Sequence, residues 1–134
     1  MKKYIFLALC AIQSATCATS TTAERIHAAK DAVVEITELG ANTSDKAWKL
    51  CKNFSLSRSQ VISFFEHAEV MPFEKIHNEF EWLPCYVRGT LTEEGMSFIW
   101  EISAGGTAVV EFNDQTSYLG CKSCAEGFID KGGR

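Results

Sequence analysis

Cys121-Lys122-Ser123-Cys124 is the short motif in this chain whose spacing best suits covalent chemistry. Two thiols separated by two residues can cycle between dithiol and disulfide when a helix N-terminus holds the first as a thiolate. That chemistry needs a helix directly after the first cysteine. Only Ala125–Arg134 follow the second, three glycines stand among those ten residues, and no βαβ pattern surrounds the motif. The pair is therefore read as a structural disulfide, with thiol–disulfide exchange as the alternative.

The other chemistry-bearing residues are scattered. Cys51 and Cys85, with His67 and His77, are the remaining candidates to complete a zinc site. Structural zinc needs four convergent ligands, usually in two close pairs, and only one pair exists here. No metal or other cofactor is expected, and both histidines read as surface residues. There is no G-x-S-x-G elbow, no H-E-x-x-H helix and no phosphate-cradling loop. Gly105-Gly106 reads as a hairpin turn, and Glu93-Glu94 as a solvated one. A glycosidase needs two carboxylates across a sugar-sized cleft, which a chain this short can hardly wall. No catalytic set emerges, and the chain is not expected to be an enzyme.

A non-covalent feature remains. Glu66, Glu69, Glu74, Glu79 and Glu81 stand against Lys75 alone, a local balance of −4, with Phe73, Phe80 and Trp82 interleaved. Acidic residues speed the encounter with a basic protein, and exposed aromatics supply the buried contact that holds it. Glu66, Glu69, Glu74, Glu79, Phe73 and Trp82 are the candidate binding residues. The same spacing also suits two amphipathic helices with aromatics inward and glutamates outward.

The N-terminus says where such a module would work. Lys2 and Lys3 precede an apolar run from Tyr4 to Ile12, and small residues follow around Ala15–Ala18. This is the pattern of a secretory signal, expected to span residues 1–18 and leave one domain over 19–134. Lipid attachment at Cys17 is disfavoured by Ser14-Ala15-Thr16, which lacks a large aliphatic residue. Loss of two lysines takes the chain's formal charge from −4 to −6. That sign argues against nucleic acid and against anionic lipid, and no later apolar run is long enough for stable membrane insertion. Four cysteines in a small exported domain point to two disulfides. We expect Cys51–Cys85 and Cys121–Cys124, because near neighbours close a short loop cheaply.

These residues need elements to place them. Thr19–Lys30 reads as a frayed helix or a leader, and Asp31–Leu39 as a β-branched strand or a helix continuation. Asn42–Asp45 offers N-caps for a short helix to Asn53 that buries Cys51. Ser57 and Gln60 form a capping box ahead of Val61, Phe64, Phe65 and Ala68, an apolar stripe of helical period. Pro72 suits the first turn of another helix, with Phe73, Ile76 and Phe80 as its buried edge. From Pro84 onward the period falls to two. Cys85–Thr92, then Met96, Phe98, Trp100 and Ile102 in alternation, Thr107–Phe112 and Ser117–Cys121 make a four-stranded meander.

The fold class is α+β: a four- to five-stranded antiparallel sheet covered on one face by two or three short helices. The functional expectation is an exported protein-binding module of the bacterial cell envelope, periplasmic or secreted. It has the profile of an inhibitor or immunity-type protein that sequesters a basic partner. The alternatives are redox work by Cys121/Cys124, or a structural or small-ligand-binding role.

Overall fold

A computed structural model describes residues 32–41 and 51–132. The expected signal, the segment Thr19–Lys30 and most of the helix expected from Asp45 lie outside the described residues. Six strands form one antiparallel sheet: β1 (Val33–Ala41), β2 (Glu69–Val70), β3 (Cys85–Glu93), β4 (Met96–Ser103), β5 (Thr107–Phe112) and β6 (Gln115–Gly120). Three helices accompany them among the described residues: α1 (Arg58–His67), α2 (Phe73–Glu79) and α3 (Lys122–Gly132). The sheet order is β1-β3-β4-β5-β6-β2. The class is α+β as expected, with one strand more because β2 adds a two-residue edge to β6.

The meander follows from its turns. Glu94 and Gly95 between β3 and β4, and Asn113 and Asp114 between β5 and β6, all have positive φ. Two-residue loops of this handedness match the twist of the strands they join. Asn and Asp tolerate that backbone better than most residues. Alternation then assigns the faces. Val87 and Leu91, Phe98, Trp100 and Ile102, Ala108 and Val110, and Leu119 point inward and are buried. β1 pairs along β3 with an irregularity between Ile36 and Glu38, which blunts the sheet edge.

The inner face is covered by α1 and α3. The Ser57–Gln60 capping box is complete and starts α1 at Arg58. Its stripe of Val61, Phe64 and Phe65 packs into the core, with Phe65 edge-on to Trp100. Phe128 of α3 meets Phe64 and Phe54. The Cys51–Cys85 disulfide ties the start of β3 to the segment before α1, and both cysteines are buried.

Helix α2 goes elsewhere. Ile76 and Phe80, with Met71, form a second small cluster against Tyr118. Tyr118 pairs with Val109 on β5, opposite in pleat to the buried Ala108 and Val110, so α2 lies on the outer face of β6. Gly120 lets it approach: a Cβ there would sit 2.5 Å from the Phe80 ring. Two helices thus share the inner face and the third caps one end of the outer face. Among the described residues no element covers the outer surfaces of β3, β4 and β5.

Candidate functional site

Phe73 was expected on the buried edge of α2, and the structure corrects this. Pro72 is the N-cap, one residue outside the helix, so Phe73 opens its first turn at the rim of the sheet. The seven residues of α2 bury only Ile76, and Phe80, the C-cap just beyond them, joins it at i+4. Phe73 is left 45 % exposed. Its ring packs on Tyr118 at 5.2 Å between centroids, on Trp82 at 6.1 Å and on His77 at 6.2 Å. His77 also meets Trp82 at 5.5 Å. Trp82 is 62 % exposed, the highest value among the large apolar side chains described.

The segment that carries Trp82 is held in place on both sides. Phe80 is buried before it, and Ser103 Oγ donates to the Leu83 carbonyl at 3.2 Å after it. Gly105, on the β4–β5 turn, has no Cβ, which lets the Glu81 carbonyl lie against it. The backbone on either side of Trp82 is thus held, while, among the described rings, its exposed indole packs only on Phe73 and His77. Between this aromatic group and the sheet lies a crevice of about 90 Å³, with Phe73, Trp82 and Tyr118 as walls and Glu81 and Glu101 among its lining. It runs on past Val109 and Glu101 to a shallow trough of about 280 Å³ that includes Arg88, Ile99 and Glu111.

Charge on this face is acid-biased. Arg88 is the central cation, and it is already committed to Glu101 at 2.6 Å and Glu38 at 3.1 Å. The bond to Glu101 raises its pKa, so it stays a cation in this setting. Glu38 also accepts from the Tyr86 hydroxyl at 2.7 Å, a bond that raises the phenol's pKa. Glu81 and Glu111 take part in no ion pair among the described residues.

The glutamates singled out in the sequence do not all join the aromatics. Glu74 lies in the first turn of α2, beside Phe73. Glu69 and Glu79 line a separate depression with His67, Lys75 and Lys122. Glu79 bonds Lys122 Nζ at 2.9 Å, which lowers its pKa. Glu66 is exposed near the end of α1. The structure thus brings Phe73 and Trp82 together with His77, Tyr118, Glu81 and Glu101. Tyr118 and Glu101 are far away in the sequence, and only their outward place in the strand alternation could have signalled them.

The two disulfides pair as expected, Cys51 with Cys85 and Cys121 with Cys124. One premise about the second pair is overturned: α3 begins at Lys122, so a helix does follow the first cysteine directly. Cys121 occupies the position before the helix, and its Sγ accepts from the Cys124 N–H at 3.2 Å. Among the described residues no group of three or more His, Cys, Asp or Glu side chains is placed to hold a metal ion. No described helix is long and apolar enough to cross a membrane. Two disulfides fit an exported protein. In comparisons with known proteins, no family model, curated protein or solved structure matches this chain.

Proposed function

We propose that this chain is an exported protein-binding module that docks a basic partner segment on the outer face of its sheet, anchored at Phe73 and Trp82. The observation that carries the reading is the exposed, mutually packed aromatic group beside Glu81. Exposed tryptophan held rigid contributes contact area at little entropic cost, which is why such residues dominate binding interfaces. Lys and Arg side chains match this surface twice over. Their charge is drawn to Glu74, Glu81 and Glu111, and their stems and cationic heads suit aromatic faces. Glu66 and Glu69 stand further off and act through the long-range field, raising the encounter rate more than the affinity. Residues 1–18 supply export to the envelope, and the disulfides maintain the module there.

Titration with peptides of defined charge tests this. The readout is the NMR spectrum of backbone amides and of the three Trp indole N–H groups, with the Trp82 indole to be assigned from Trp82→Phe. A Lys/Arg-rich peptide should shift the signals of Trp82, Phe73 and Tyr118, and added salt should weaken the effect. An equally long Glu-rich peptide should leave them in place. If the cationic peptide moves signals only around Lys75 and Lys122, or none, the outer face is not a docking surface for basic segments.

A further inference from the structure

The Cys121–Cys124 pair carries more than a staple requires. Cys121 is 3 % exposed while Cys124 is only half-buried, so the two sulfurs differ in access. Cys121 stands directly before an eleven-residue helix. Its Sγ receives the Cys124 N–H at 3.2 Å and lies 3.5 Å from the Ser123 hydroxyl. The Cys121 N–H in turn donates to Gly106 O at 2.8 Å, which holds the residue in register with the β4–β5 turn. A helix N-terminus favours negative charge, and a thiolate formed at Cys121 would keep both the backbone donor and the dipole. An open depression of about 300 Å³ lies beside Lys122 and Ser123 and reaches Cys121, with His67, Lys75, Glu69 and Glu79 also in its lining; Cys124 lies outside it and is reached through its own half-exposed surface. Cys51–Cys85 has none of this: both of its cysteines are buried in the core.

We infer that Cys121–Cys124 is a thiol–disulfide exchange site that oxidises a peptide dithiol, with Cys124 as the sulfur attacked and Cys121 as the leaving group. A substrate thiolate attacks Cys124 Sγ, the intramolecular S–S bond breaks, and Cys121 departs as a thiolate. The substrate's second thiolate then attacks its own sulfur in the mixed disulfide and releases Cys124. The substrate loses two electrons and two protons, and the Cys121/Cys124 pair takes them up as two thiols. An external disulfide such as oxidised glutathione restores the pair by the same exchange. Stabilising the leaving thiolate speeds the first step and makes the disulfide more oxidising. This activity is independent of the docking face and stands or falls separately from it.

Redox equilibration of the oxidised full chain in glutathione buffers tests the assignment. Each cysteine pair is scored by alkylation and peptide mass, so no substitution is needed, and circular dichroism checks that the fold persists. Cys121–Cys124 should become half-reduced at a ratio of squared reduced-glutathione concentration to oxidised-glutathione concentration at least tenfold lower than Cys51–Cys85 requires. Tenfold corresponds to about 30 mV for a two-electron couple. In addition, Cys121→Ser should trap glutathione on Cys124, whereas Cys124→Ser should leave Cys121 largely unmodified. Reduction of both pairs together, or greater resistance of Cys121–Cys124, overturns the proposal. Preferential trapping on Cys121 overturns the assigned direction of attack.

Discussion

At the scale of single residues, two positions show how backbone and charge are spent around the candidate sites. Gly106 has φ +83°, and a Cβ there would lie 2.6 Å from Ala125 Cβ and 2.8 Å from the Cys121 carbonyl oxygen. Gly106→Ala should cost about 2 kcal/mol or more, since both the conformation and the space are wrong for a side chain. Urea unfolding of the two proteins measures it. The sequence marked Gly105-Gly106 as a turn, but its second use was illegible. These glycines admit α3 and the Trp82 segment, two approaches made by residues distant in the chain. Tyr86 gives a pH prediction. Its hydrogen bond to Glu38 raises the phenol's pKa above the ordinary value of 10.0. The protonated phenol is therefore favoured in the folded state. Its contribution is complete below the ordinary tyrosine value and fades as pH rises through the higher folded one. Tyr86→Phe should lose stability less steeply than the parent as pH rises above about 10, read by urea midpoints at each pH. An equal slope in both proteins would show that the Tyr86–Glu38 bond does not contribute.

At the scale of elements, legibility followed the length of the periodic signal. The four C-terminal strands and α1 were readable because alternation, turn residues and a capping box agreed over many positions. β2 was not, since two residues carry no period. The helix after Cys121 was missed because glycines lower helix propensity. Here tertiary packing overrides that cost: Phe128 is buried against Phe54 and Phe64. The exposure of Phe73 was hidden for the opposite reason, as a seven-residue helix that buries Ile76, with Phe80 at its C-cap, has no room for a third apolar residue. Chain closure gives the element-scale prediction. Cys51 and Cys85 are 34 residues apart, and their disulfide restricts the unfolded chain by about 3–4 kcal/mol. Cys51→Ala/Cys85→Ala should lose about that much and fray the β1–β3 edge first. Hydrogen exchange along β3 reports it: uniform acceleration across all strands would contradict a local tether.

Over the whole molecule, the sheet separates two kinds of work. Its inner face, under α1 and α3, is the core that fixes the geometry. Its outer face is capped by α2 at one end and, among the described residues, left open across β3–β5, which places the exposed aromatics at the border between cover and opening. Composition showed the acidic bias and the aromatics, but not which glutamates share a surface with Trp82. That division depends on α2 crossing to the outer face, a choice settled by Gly120 and Tyr118 on a strand some forty residues later. Capture from an oxidised envelope extract tests the docking claim most directly. It compares the native chain with Phe73→Ser/Trp82→Ser and with Glu66→Gln/Glu69→Gln/Glu79→Gln. The native chain should retain one basic protein in stoichiometric amount, released by moderate salt. The aromatic double variant should lose it, and the glutamate variant should bind it more slowly and with less salt dependence. Retention of the same partner by the Phe73/Trp82 variant, or an empty native bait, would contradict docking on this face.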